Sequence, residues 1–205
     1  MSDVDADPRP PGPGHLPAPV GAGGVDVRWH RVEDERDPLA RHVAAVLGVP
    51  GDEVRTGRLC PRCGSSAHGR PWARHPSEPR LFVSLARAGG YAVTAVSLSA
   101  PLGVDVEEVA AVARGWSDEV VLAQGEQLGT VGAPPVGEEG GSPDAQGRRS
   151  LPRVRALTWA AKEATLKRTG EGLHTPMTRV RLTEVGGLHE LAAPPGLVAV
   201  LAAPL

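Results

Sequence analysis

Gly103-Val104-Asp105-Val106-Glu107 decides how the chain is read. Val, acid, Val, acid is strict alternation, the pattern of a short β-strand. Successive strand side chains point to opposite faces, so Asp105 and Glu107 share one face and Val104 and Val106 the other. Carboxylates about 7 Å apart along a strand repel unless a cation lies between them. Hard oxygen ligands suit Mg²⁺, which takes one or two carboxylates and completes its shell with water and phosphate oxygens. Most D-x-E pairs are solvated strand edges, so the pair needs support from elsewhere in the chain.

That support is Trp159-Ala160-Ala161-Lys162-Glu163-Ala164-Thr165-Leu166-Lys167-Arg168-Thr169-Gly170. The run has good helix formers, no internal Pro or Gly, and a terminal glycine stop. Trp159, Glu163 and Lys167 are spaced i, i+4, i+8 and share a helix face. An ordinary Glu–Lys helix pair accounts for that spacing equally well. The cation usage argues for more. The chain has twenty arginines and two lysines, and both lysines lie in this helix. Arginine and lysine differ in shape and proton chemistry, so the expectation is that this helix uses an ammonium group for a specific purpose.

At 205 residues the chain suits one domain, or two small halves sharing a core. With four Trp, one Tyr and one Phe, the core must be built from Val, Leu and Ala. A net charge of −2 argues against nucleic-acid partners and a polybasic membrane surface. No apolar run is long enough to span a bilayer, and the acidic N-terminus lacks a signal-peptide pattern. A cytoplasmic protein with no membrane partner is the expectation. Two cysteines make no disulfide framework.

Residues 1–24 are Pro, Gly, Ala and acid without apolar periodicity, and read as a disordered tail. Val25–Trp29 alternates as a first strand. Asp37-Pro38 is an N-cap followed by Pro at N1, opening a helix with Leu39, Val43 and Leu47 on one face and a stop at Gly48. Arg36 and Arg41 flank its start. Cys60-Pro61-Arg62-Cys63, with His68 and His75 nearby, admits two readings: a zinc site whose second half is incomplete, or a tight turn with two reduced thiols. His68-Gly69-Arg70-Pro71 reads as a turn. Strands follow at Leu81–Leu85 and Tyr91–Leu98, joined through Ala88-Gly89-Gly90 as a hairpin. A helix is predicted over Ser117–Leu128, a mobile loop over 129–150, and strands near Thr178–Leu182, Leu188–Leu191 and Leu197–Ala202, the last of them central. Strand–helix–strand–strand therefore occurs on both sides of about residue 101. This predicts an α+β fold, with 25–101 as an N-terminal half and 102–205 as a C-terminal half.

The spaced combination of G-V-D-V-E (103–107), W-A-A-K-E-A-T-L-K (159–167) and G-E-G-L (170–173) resembles the 4′-phosphopantetheinyl transferases of the longer, single-chain type. Upstream, H-G-R-P (68–71) and F-V-S-L-A-R-A-G-G-Y-A-V (82–93) extend the resemblance, which covers roughly residues 30–203. It implies two similar α+β halves in one chain, a pseudo-dimer with a coenzyme cleft between them, so that a monomer suffices. It implies transfer of the phosphopantetheine arm of coenzyme A to a serine of an apo acyl or peptidyl carrier protein, releasing adenosine 3′,5′-bisphosphate. Asp105, Glu107 and Glu163 would hold Mg²⁺. Glu163 would also be the general base, directly or through a water on the metal. Lys167 would neutralise the leaving phosphate, and Lys162 would either do the same or anchor the neighbours of its helix. Arg36, Arg41, Arg70 and Arg87 would contact coenzyme phosphates. Arg148, Arg149, Arg153 and Arg155 form a basic run that is either a carrier-docking surface or solvated.

One departure stands out. The family has Ser-His-Ser where this chain has Ala86-Arg87-Ala88. Two alternatives follow from it. One is a catalytically impaired homologue that binds coenzyme A or a carrier protein as regulator or scaffold. The other is a repurposed enzyme acting on a carrier-bound substrate.

Overall fold

A computed structural model describes residues 24–33, 36–128 and 150–204. The expected tail up to residue 23, the expected loop of 129–150 up to residue 149, and with it Arg148 and Arg149, lie outside the described residues. Strand β1 (Val25–Arg31) pairs antiparallel with β5 (Tyr91–Ser97), and β4 (Phe82–Ala88) pairs with the other edge of β5. The two-residue turn Gly89-Gly90, with both φ positive, closes the β4–β5 hairpin as expected. Helix α1 (Pro38–Leu47) covers this sheet. Asp37 caps it, Oδ1 accepting from the Ala40 N–H at 3.0 Å, and Gly48 ends it in the left-handed region. Leu39, Val43 and Leu47 pack on Val83 and Val96.

Two further strands carry no signal in the sequence. Strands β2 (Arg55–Leu59) and β3 (Arg70–Arg74) pair as a separate two-stranded sheet. Arginines flank a Gly in one and a Pro in the other, so no apolar stripe marks them.

The second three-stranded sheet is formed by β6 (Gly103–Glu108), β7 (Leu188–Leu191) and β8 (Leu197–Ala202), with the fully buried β8 in the centre. Its helix is α4 (Leu151–Thr169), ended by Gly170. The two sheets share one strand order: the last strand in sequence lies between the other two. They also share one core. Val27, Ala86, Val93 and Ala95 of the first pack with Val104, Val106, Leu197, Ala199 and Leu201 of the second. Hydrogen bonds tie them, from the Val104 N–H to Ser84 Oγ at 3.0 Å and from the Gly89 N–H to Glu108 Oε1 at 3.0 Å. Three small antiparallel sheets and four helices among the described residues are compatible with the α+β expectation.

Two expected elements differ. The helix predicted over 117–128 is α3 (Asp118–Val121) alone; α2 (Val109–Gly115), unpredicted, precedes it. Glu126 folds back and accepts from the Ala123 N–H at 2.8 Å, which turns the chain out of the helix. The strand predicted near 178–182 is instead two 3₁₀ turns, Met177–Arg179 and Leu182–Glu184. Lys162 takes the carbonyls of Met177 and Val180, acceptors that a sheet would use.

A buried polar chain crosses the first sheet. His30 Nε2 and His42 Nδ1 each stand 2.7 Å from Thr94 Oγ1, and His42 Nε2 stands 2.7 Å from Asp26 Oδ1. The chain is satisfied when His30 donates to Thr94, Thr94 to His42, and His42 to Asp26. Burial pushes the His42 pKa down to about 4, so the ring is neutral at physiological pH. These histidines hold the sheet together.

Helix α4 crosses β6 at Gly103. A Cβ there would stand 2.0 Å from the Ala164 carbonyl oxygen and 2.6 Å from the Arg168 nitrogen. Both are backbone atoms, so Gly103→Ala must push the helix off the strand. The expected cost is about 1–3 kcal/mol, read as a lowered midpoint in urea unfolding. An unchanged midpoint would show that α4 does not depend on this contact.

Candidate metal centre

The close crossing at Gly103 puts the middle of α4 over the acidic face of β6. Register places Asp105 opposite Val200 and Glu107 opposite Val198 on β8. Val198 and Val200 pack on α4 through Ala156, Ala160 and Ala164, so both acids face that helix. Val104 and Val106 face the shared core. The alternation therefore sorts the residues as the sequence predicts. Glu163 arrives from α4. One carboxylate oxygen each from Asp105, Glu107 and Glu163 lie within 4.8 Å of one another. Lys167, one turn on, donates to Asp105 Oδ1 at 2.5 Å and to the Val104 carbonyl at 3.2 Å, with Glu163 Oε2 at 4.0 Å. Trp159, one turn back, donates its indole N–H to Glu163 Oε1 at 3.0 Å. The i, i+4, i+8 face thus holds a carboxylate between an indole and an ammonium.

Three acids and one ammonium leave negative charge in excess. Burial, and then the charges of Glu163 and Glu107, push the Asp105 carboxyl up to about 8 against the pull of Lys167. Burial and then Glu163 raise Glu107 to about 7. Asp105 Oδ2 is buried and has no hydrogen-bond partner. A buried oxygen without a donor is costly, and a divalent cation among the three carboxylates would supply what it lacks. The all-oxygen donor set fits Mg²⁺.

The pH dependence follows. Both carboxyls have folded pKa values above the ordinary carboxylate range, so their contribution to stability is complete below about pH 4 and is lost as pH rises through about 7 and 8. His42, with its pKa lowered to about 4, has the opposite dependence below its ordinary value, so the loss is read above about pH 6.5, where the metal-free protein should lose roughly 5 °C of Tm as pH rises to about 8. Mg²⁺ should restore more at the alkaline end, where the carboxylates are ionised. Asp105→Asn should flatten both trends in thermal melts. An equal Mg²⁺ shift at both ends would refute the charge-crowding account.

The other expected residues are spread out. Lys162 is not in this group. Its side chain is fully buried, and Nζ donates to Glu126 Oε2 at 2.5 Å, to Val180 O at 2.6 Å and to Met177 O at 3.2 Å. These contacts are those of the anchoring alternative for Lys162, and its ammonium is buried away from the acidic cluster. Arg87 lines a cavity of about 240 Å³ with Asp37, Thr56, Arg58, Ser66 and Leu85. Burial, and then the charge of Arg58, hold the Arg87 guanidinium below its ordinary pKa. The pocket therefore holds two guanidinium groups with one carboxylate, Asp37, whose charge acts on Arg87 in the opposite direction. Sequence reasoning missed Arg58, since one arginine among twenty carries no signal. Arg70 lies against the C-terminal end of α4, its Nη1 2.8 Å from where a Gly170 Cβ would stand. Arg36 and Arg41 flank the start of α1 and are exposed; neither lines that cavity. Arg153 pairs with Glu190 at 2.5 Å, and Arg155 lies over the Trp116 ring at 5.5 Å. Both of these side chains are in contact with other parts of the chain.

No protein-family model matches the chain, and no curated protein matches it. Among the described residues, no helix is long and apolar enough to cross a membrane.

Proposed function

We propose that the chain is a phosphopantetheinyl transferase, moving the phosphopantetheine arm of coenzyme A to a serine of an apo carrier protein. The observation that carries this reading is the convergence of Asp105, Glu107 and Glu163 beside Lys167, with Asp105 Oδ2 buried and unbonded. The matching strand order of the two sheets supports two equivalent halves in one chain.

Asp105, Glu107 and Glu163 would hold Mg²⁺, whose contribution is to neutralise the coenzyme's pyrophosphate. Glu163 Oε1 is occupied by the Trp159 N–H. Glu163 would also take the proton of the carrier serine, directly or through a water, as the serine Oγ bonds to the β-phosphorus. The bond from that phosphorus to the bridging oxygen breaks, and adenosine 3′,5′-bisphosphate leaves with the electron pair. Lys167 is partly exposed and stands where it can offset charge on that leaving group. Arg58 and Arg87 would bind a coenzyme phosphate in their shared cavity.

Intact-protein mass spectrometry tests the reading. Apo carrier proteins incubated with this protein, coenzyme A and Mg²⁺ should gain about 340 Da, the mass of the transferred arm, and should not gain it without Mg²⁺. A specific observation favours a second reading: guanidinium groups at 58 and 87 crowd one pocket where the family has an imidazole. Coenzyme binding by calorimetry, with no mass gain on any carrier, would make the protein a non-catalytic binder. Activity on a carrier-bound substrate without coenzyme binding would point to a repurposed enzyme.

A further inference from the structure

The transferase reading leaves Cys60, Cys63 and His68 without a role. They lie in the connection between β2 and β3. Their ligand atoms come within 4.8 Å of one another, and Cys63 Sγ stands 3.4 Å from His68 Nε2. A tetrahedral zinc with Zn–S of about 2.3 Å and Zn–N of about 2.0 Å has a sulfur–nitrogen edge of about 3.5 Å. Both cysteines are free thiols, Cys60 buried and Cys63 exposed.

The backbone around them is arranged to bring the three side chains together. Cys60 and Cys63 stand at the two ends of one tight turn, which carries both sulfurs on the same short loop. The turn is closed from both sides: the Gly64 N–H donates to the Cys60 carbonyl at 2.9 Å, and the Cys60 N–H donates to the Ser65 carbonyl at 2.9 Å. Gly64, with φ 69°, allows that turn. Gly69, with φ 107°, brings the returning chain against Leu59 and Cys60, where a Cβ would stand 2.4 Å from backbone atoms. That approach returns His68 to the two sulfurs. His75 is held elsewhere by Ser77 and Glu53.

We propose that Cys60, Cys63 and His68 form a zinc site, with water as the fourth ligand. Two thiolates and an imidazole select zinc over the hard cations that suit the acidic cluster. The metal joins the end of β2 to the start of β3. It thereby fixes the connection that positions Arg58, whose Nη1 donates to the Gly69 carbonyl at 3.2 Å, and Ser66, both of which line the Arg87 cavity.

The test uses the full chain, purified without a histidine tag from zinc-supplemented cells under reducing conditions. Elemental analysis should find about one zinc per chain. Cys63→Ser and His68→Gln change exposed side chains and should each lower that content at least about tenfold in protein that still folds, as judged by circular dichroism. Cobalt exchanged into the wild type should give a thiolate-to-metal charge-transfer band and a tetrahedral ligand-field spectrum, both lost in Cys63→Ser. Three results would overturn the site: no zinc in the folded, reduced wild type; zinc retained in both variants, which would place it elsewhere; or a Cys60–Cys63 disulfide in the protein as isolated.

Discussion

Glu163→Gln is expected to lower arm transfer by about 10³-fold or more with the fold intact. The glutamine keeps an oxygen where Oε1 accepts from the Trp159 indole, so the hydrogen bond that sets the rotamer survives. The change removes one of three carboxylates and the group that would take the serine proton. Loss of a general base alone contributes about 10²–10⁴ in rate, and the weakened cation site adds to it. Stability should move the other way. The charge of Glu163 is one reason that Asp105 and Glu107 resist ionisation. Neutralising it relieves repulsion, so the metal-free variant should melt at or above the wild-type Tm. Loss of transfer together with an equal or higher Tm separates a catalytic role from a structural one. Turnover within tenfold of wild type would remove Glu163 from the mechanism.

The acidic face was legible because two periodicities meet there. Alternation in β6 sorts acids from valines, and the i, i+4, i+8 spacing in α4 sorts Trp159, Glu163 and Lys167 from the alanines that pack on β8. The strands at 188–191 and 197–202 and the capped helix α1 were legible for the same reason: apolar pattern and punctuation agree. Tertiary capture is not written in local pattern. Glu126 turns the chain out of a helix by bonding the Ala123 N–H, and its other oxygen accepts from the Leu182 N–H at 3.0 Å, across 56 residues. Strands β2 and β3 are short and arginine-rich and have no buried stripe to announce them. The Cys60–His68 loop shows its ligand types in sequence. Their convergence depends on the backbone approach at Gly69, which spacing alone does not reveal.

Lys162→Met should produce the largest loss of stability, about 3–5 kcal/mol, read as a Tm lowered by roughly 10 °C. The ammonium is fully buried and serves three acceptors that converge on one nitrogen. Removing it leaves the carbonyls of Met177 and Val180 without that donor and the Glu126 carboxylate buried without a counter-charge. Lys162→Arg should fail to rescue, because a planar fork of donors cannot aim three hydrogen bonds from one point. That geometry explains why this position uses one of the chain's two lysines. Glu126→Gln in the Lys162→Met background should recover part of the loss, since the amide oxygen still accepts a backbone N–H and no buried charge remains. Below its Tm, Lys162→Met should keep the wild-type KM for coenzyme A within about threefold, because Nζ points away from the acidic cluster toward the 3₁₀ turns. A KM raised more than about tenfold (some 1.4 kcal/mol) at an unchanged Tm would put Nζ on the coenzyme and overturn the anchoring role. The other lysine, Lys167, would then share that task, and the excess of arginine everywhere else would reflect coenzyme chemistry at both positions.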